Sequence, residues 1–408
     1  MSTTAVSPGP TPDPGSELNP SSSPVEPRAA RPRARSRIVG VDAARGFAVL
    51  GMIGAHLVLV NSFDWTRPDT WFDLVNGRSA ILFGVMAGIS LSLVSERGRQ
   101  AGGVELLRVR LSILVRALAI FVIGTLLEAI GTNFPIILGT YAVVFVAGAW
   151  LISLRPRTLI IAASATALLA PPLVLLARLL FRAEDSDTFL VETELIYVLF
   201  FSDFAPVLWV AFLMVGIVVG RLDLGSTAVQ VRLGLVGAGL MILGYGLGEL
   251  GNQFVPLDRE GESWERDREG GSWETLLLQF PHSATTSEAV GSTGYALVVL
   301  ALCLAVCSTR IGRVLLYPFA AVGALALTAY AGHFVGIALL GSYAEYSTEY
   351  TVFVQFVVVT VILCVAWRAI FGTGPLERIV AGLARRAARV PRGSKPESES
   401  HIAVAPSN

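Results

Sequence analysis

The sequence predicts an all-α, polytopic integral membrane helix bundle of about ten transmembrane helices, with nine to eleven compatible with the pattern. Three observations lead there. The 408 residues are 53% hydrophobic and only 15% charged, with a mean hydropathy of +0.64, which is too apolar for an ordinary soluble domain. Apolar stretches of about 20 residues, the length that crosses a hydrocarbon core, recur along the chain. The arginines between those stretches alternate in density as a membrane topology requires.

Residues 1–36 are rich in Pro, Ser, Thr and Gly and bury too little apolar surface to offset ordering entropy, so they read as a disordered cytoplasmic tail. The cluster Arg28, Arg31, Arg33, Arg35 and Arg37 resembles the basic start of a signal peptide. The run behind it is long and interrupted by Asp42 and Arg45, so it reads as an uncleaved first span. A bundle at 37–373 then holds ten candidate spans, near 38–62, 76–95, 111–130, 134–154, 158–180, 204–220, 233–251, 290–308, 314–340 and 350–371. With the N-terminus inside, the cytoplasmic segments carry the N-terminal cluster, Arg97, Arg99, Arg108, Arg110, Arg155, Arg157, Arg221, Arg232, Arg310, Arg313 and the basic C-terminus. The opposite connections hold only Arg67, Arg178, Arg182, Arg259, Arg266 and Arg268, as the positive-inside rule expects, so both termini are placed in the cytoplasm. The short apolar stretch 193–203 is what leaves the count open by one. The longest outer connection is 252–289. Residues 374–390 read as an amphipathic helix on the inner membrane surface, with Leu376, Ile379, Val380, Leu383 and Ala387 opposite Arg378, Arg385, Arg386 and Arg389. Residues 391–408 read as a disordered tail, and no internal repeat is evident.

Composition excludes several classes of function. The arginine clusters flank apolar spans and form no single basic domain, so no nucleic-acid partner is expected. Cys303, Cys307 and Cys364 lie within apolar runs and read as packing residues, and no Cys/His spacing for a metal, Walker loop or dinucleotide fingerprint occurs. The lipid bilayer is the expected environment, and a homo-oligomer is compatible with the sequence.

Charge inside the first span carries the chemistry. Asp42 and Arg45 are three residues apart, and Arg45 and His56 eleven, so all three share one helical face. Arg45 and His56 are roughly 16 Å apart along the axis, about half the hydrocarbon thickness. Intramembrane ionisable groups are costly and mark a path or a site, although Asp42 and Arg45 would also neutralise each other. Arg45 would otherwise bind an anionic group such as a phosphate. His56 and His333 are the histidines within predicted spans, each a candidate general base or a hydrogen-bonded structural residue. Tyr330, one turn before His333, would orient that ring. Arg78 opens the second span beside Asp73 and would either stabilise developing negative charge or snorkel to the headgroups. In the outer connection, Trp264 and Trp273 lie beside carboxylates and His282 precedes Glu288. These would contact a sugar or supply an acid/base pair; interfacial tryptophan and a helix cap at Glu288 are the plainer readings.

Five ordered motifs add a resemblance. Val41-Asp42-x-x-Arg45-Gly46, Gly77-Arg78-Ser79-x-x-Leu82-Phe83 with Ala87-Gly88, Pro281-His282-Ser283 with Gly291-Ser292-x-Gly294, Leu327-Thr328-x-Tyr330, and Gly374-Pro375-Leu376-Glu377 resemble the YeiB-type membrane protein family. That family is related to heparan-alpha-glucosaminide N-acetyltransferase-like transmembrane acyltransferases, and the similarity runs from about 37 to 383. The resemblance implies a membrane acyltransferase of the bacterial cell envelope. Acetyl-CoA or another acyl-CoA would be the cytoplasmic donor, and a glycan or lipid-linked molecule the acceptor. Relatives often carry Asn where this chain has His56. The acetyltransferase's catalytic His follows the first span, where this chain has Thr66, Arg67, Pro68 and Asp69, so that residue does not carry over. The expected assignments are His56, His333, Arg78 and Asp73 for catalysis, Arg45 and Asp42 for the donor, and His282, Trp264, Trp273 and Tyr330 for the acceptor. A transporter or flippase for a lipid or small solute is the competing reading, with the same charges lining a path.

Overall fold

The computed structural model describes Gly9 and residues 38–58, 66–182, 204–254, 273–278, 283–341 and 350–389. Within these every regular element is helical. Helix α1 (Val39–Leu57) leads through a 3-10 turn (Pro68–Leu74) to α2 (Arg78–Ala101), followed by α3 (Gly103–Glu128), α4 (Leu138–Leu151) and α5 (Pro156–Arg182). Then come α6 (Pro206–Val219), α7 (Thr227–Phe254), a second 3-10 turn (Trp273–Leu277), α8 (Thr286–Ser308) and the short α9 (Arg310–Leu315). The chain continues through α10 (Tyr317–Ala324), α11 (Ala326–Leu340), α12 (Tyr350–Phe371) and α13 (Pro375–Ala387).

Each of the ten apolar stretches contains a helix, but their lengths differ. Among the described residues six helices, α2, α3, α5, α7, α8 and α12, are long and apolar enough to cross a membrane. The stretch 314–340 is not one rod: α10 and α11 meet at Leu325 with an 84° bend and together make a seventh candidate. Helices α4 and α6 are apolar but shorter. The ionisable residues of α1 explain why it falls outside this set although it is the most enclosed element, buried along most of its length.

Helices α1 and α2 form the centre. Helix α1 packs on α10, α2, α8 and α12, while α2 packs on α6, α1, α8 and α3. Small residues let these backbones approach. A Cβ on Gly46 would collide with the Phe319 carbonyl, and one on Gly323 with the Asp42 carbonyl, so α1 and α10 touch backbone to backbone. Further glycines work in the same way: Gly88 lies against Gly216 of α6, and Gly244 against Gly291 of α8. The peripheral helices instead expose large apolar residues such as Phe121, Leu235, Ile242, Ile362 and Leu363. Such a surface is stable in hydrocarbon and not in water. Helix α13 lies on α3, burying Val380 and Ala384 while its arginines remain outside.

Candidate functional site

Two polar centres sit at opposite ends of α1. Near its start, Arg45 Nη1 donates to Asp42 Oδ1 at 3.2 Å and to the Gly323 carbonyl at 3.1 Å, and Nη2 donates to Ser90 Oγ at 2.6 Å. Ser90 in turn donates to the Met86 carbonyl at 2.7 Å. One guanidinium thus ties together α1, α2 and α10, and its geometry is that of a bridge among three central helices. Asp42 is buried, so its charge is compensated inside the protein.

At the other end the two candidate histidines meet. His56 Nδ1 lies 3.1 Å from His333 Nε2, with the rings stacked at 5.3 Å and an interplanar angle of 13°. A contact this short requires one N–H between the rings, so one imidazole donates and the other accepts. Phe134 also stacks on His56, at 5.1 Å, and Phe334 and Tyr330 close around His333. His333 is 3% exposed, whereas His56 is half-buried and is the member that a small molecule would reach. His333 Nδ1 is buried and makes no hydrogen bond of ordinary geometry; the carbonyls of Ala329 and Tyr330, on the preceding turn, lie close to it. The Tyr330 hydroxyl is engaged elsewhere, accepting from the Ile137 N–H at 3.3 Å. Tyr330 orients the ring by edge contact.

A third group lies at the same end of α1, joined to it by Phe72 of the first 3-10 turn, which packs against Gly54. Arg78 Nε donates to the Tyr245 hydroxyl at 2.8 Å, Nη1 donates to the Asp73 carbonyl, and the guanidinium lies over the Tyr245 ring at 4.8 Å. Tyr245 also contacts Ser292 at 3.3 Å. Asp73 therefore meets Arg78 through its backbone. Nearby, Glu288 Oε2 accepts from the Ala284 N–H at 2.9 Å and Ser283 Oγ at 3.1 Å, while Thr285 Oγ1 accepts from the Glu288 N–H at 3.2 Å. This is a reciprocal cap on α8. Ala284 has φ +56, a left-handed conformation that L-residues avoid, and these bonds hold it there. Glu288, Ala284, Trp209, Phe212, Leu208, Ala205 and Ile81 line a small cavity. Trp209 and Tyr245 had no motif to announce them; an aromatic inside an otherwise glycine-rich helix face, Gly244-Tyr245-Gly246, is the signal available for Tyr245.

Trp273 is exposed, and His282 and Trp264 lie outside the described residues. Among the described residues no group of three or more His, Cys, Asp or Glu is placed to hold a metal ion.

Comparison with known proteins gives the family. The family model described as heparan-alpha-glucosaminide N-acetyltransferase, catalytic, matches residues 37–244, 208 of the 408 residues. The chain belongs to that family. A second family model, described as a protein of unknown function (DUF418), matches residues 272–387. A search of curated proteins finds no match. In this member of the heparan-alpha-glucosaminide N-acetyltransferase catalytic family, His56 falls in the first matched segment and His333 in the second. The histidine pair therefore joins the two.

Proposed function

We propose that the protein is a membrane-embedded acyltransferase that moves an acyl group, acetyl in the first instance, from cytoplasmic acyl-CoA to a sugar-containing or lipid-linked acceptor. The observation that carries this reading is the contact between the buried His333 and the half-buried His56. With His56 Nδ1–H donating to His333 Nε2, His56 Nε2 keeps its lone pair and acts as general base, and His333 Nδ1–H is directed towards the Ala329 and Tyr330 carbonyls. A base oriented by a second group is the arrangement that nucleophilic acyl transfer uses. The acceptor hydroxyl or amine gives its proton to His56 Nε2 and attacks the thioester carbonyl carbon. The C–S bond breaks, and the coenzyme A thiolate takes the proton back from His56. His333 is a positioning residue that shares the transient charge.

The remaining polar groups have roles in the same proposal. Arg78, with Nε and Nη1 engaged, keeps Nη2 to offer an oxyanion or an acceptor oxygen. Glu288 and Trp209 present a carboxylate and an aromatic face to the acceptor. Arg45 and Asp42 act as the bridge that fixes α1 against α2 and α10 on the donor side. A broken helix such as α10/α11 is what a transporter would use to bind its substrate with free N–H groups. Here Glu377 already occupies the N–H groups of Leu327 and Thr328, at 2.7 and 3.1 Å, which favours the acyltransferase.

Purified protein incubated with acetyl-CoA and a panel of amino sugars and lipid-linked sugars should release free coenzyme A, read with a thiol reagent. His56→Ala should lower that rate by about 100-fold or more. Folded wild type that releases none, or a His56→Ala protein that turns over normally, would defeat the proposal.

A further inference from the structure

Arg116 is a charged residue that the site above does not use. It lies in the middle of α3, an apolar helix that faces mostly outward, with 22% of its apolar stretch buried. Its Nε is shielded from solvent and has no hydrogen-bond partner. Two turns towards the start of α3, Arg108 has a carboxylate beside it in Glu105; Arg116 has none among the described residues. Helix α13, packed along α3, brings a charge of the same sign, Arg385, within electrostatic reach of it. Arg385 is exposed and likewise donates no hydrogen bond to a described residue. Two guanidiniums brought together by helix packing, without a carboxylate between them, are costly unless an anion joins them.

The surroundings say which anion. Helix α13 has the strongly amphipathic pattern of a helix lying in the headgroup layer, and Ile379 and Leu383 on it are exposed, as is Leu118 on α3. A phosphate there has hydrocarbon on one side and arginine on the other. We propose that Arg116 and Arg385 form a site for the phosphodiester of an anionic phospholipid, seated between α3 and α13 with its acyl chains against the exposed apolar surface. The guanidinium forks hold separate phosphate oxygens, and the lipid fastens α13 to the bundle. This site is independent of the acyl-transfer reading, since it concerns neither histidine nor the cavity beside Glu288.

Native mass spectrometry of the purified full chain provides the test, with phosphatidylglycerol or phosphatidylcholine of the same chain length added. Wild type should retain one phosphatidylglycerol per chain in preference to phosphatidylcholine. Arg116→Gln and Arg385→Gln should each reduce that retention by about fivefold, the weight of one arginine at a lipid surface. Arg386→Gln, the exposed neighbour, should leave it unchanged. Because Arg385 is exposed, its substitution keeps the test valid if Arg116→Gln fails to fold. Equal retention in wild type and Arg385→Gln, or an equal loss in Arg386→Gln, would overturn the proposal. Displacement of the lipid by inorganic phosphate or coenzyme A at equimolar concentration would also overturn it, by assigning the arginines to a soluble phosphate.

Discussion

The two histidines differ in exposure, and that difference assigns their labour. His333 is enclosed by Tyr330, Phe334 and His56, so in the proposed reaction it acts on the acceptor only through its partner. His333→Asn should lower kcat by about two orders of magnitude with KM unchanged, and should move the pH–rate profile, because the base loses its orienting group. A merely structural His333 would lower the folded fraction and leave the profile in place. Asp42 and Arg45 are coupled in another sense: Asp42 is buried, and its partner's side chain is 19% exposed. Removing one member takes a compensating charge away from the other. Asp42→Asn should therefore destabilise the protein by about 2–3 kcal/mol, below the range for a wholly buried pair. The double change Asp42→Asn with Arg45→Met should cost less than the two single changes combined, read by thermal unfolding in detergent. The sequence placed Asp42, Arg45 and His56 on one face of one helix correctly, since the 3.6-residue period is local information. It could not show that His333, 277 residues away, closes on His56, because that contact depends on how α1 and α11 pack.

Among the elements, the break between α10 and α11 is the least legible in the sequence and the most consequential. The run 314–340 is apolar throughout, and hydropathy registers no difference between a straight span and one bent by 84° at Leu325. Bending leaves the first N–H groups of α11 without intrahelical partners. Glu377 supplies the partners: Oε1 accepts from Leu327 and Thr328, and Oε2 accepts from Thr328 Oγ1 at 2.5 Å. This explains physically why two separate motifs, Leu327-Thr328-x-Tyr330 and Gly374-Pro375-Leu376-Glu377, occur in one chain. Gly374 belongs to the arrangement too, because a Cβ there would collide with the Glu377 carboxylate. Removing the carboxylate with Glu377→Ala should cost about 2 kcal/mol and raise hydrogen exchange at Leu327 and Thr328 above that of the α8 amides. Since Tyr330 and His333 ride on α11, coenzyme A release should fall with it. Unchanged exchange at those two amides would show that the bend is held by something other than Glu377.

For the whole molecule, the helical class follows from a constraint that lipid imposes on every backbone polar group, so it was readable from apolar run lengths alone. Which helices are central was not readable. α1 carries Asp42, Arg45 and His56 and falls outside the six long apolar helices, yet it is the most enclosed, because those groups find partners in α2, α10 and α11. Peripheral helices such as α12, with only 11% of its apolar stretch buried inside the protein, are the more uniformly apolar because lipid surrounds them. Burial in a bundle and burial in a bilayer are thus opposite signals. Orientation rests on the arginine asymmetry, and it has a direct consequence for the proposed chemistry. If, as that asymmetry predicts, Arg45 is at the cytoplasmic end of α1, the His56–His333 pair lies towards the outer face, and the thioester end of a cytoplasmic acyl-CoA has to reach through the bundle for the direct transfer proposed above. Single cysteines at Arg155 and Arg310, both exposed, should react with a membrane-impermeant maleimide only when the cytoplasmic face is accessible. Cysteines at Thr66 and Ala129, also exposed, should react from the opposite side. The native Cys303, Cys307 and Cys364 are buried and should stay silent in the same experiment. Labelling of Thr66 and Arg155 from the same side would contradict the alternation of α1 to α4. It would also remove the need for transfer across the membrane and place donor and acceptor on one face.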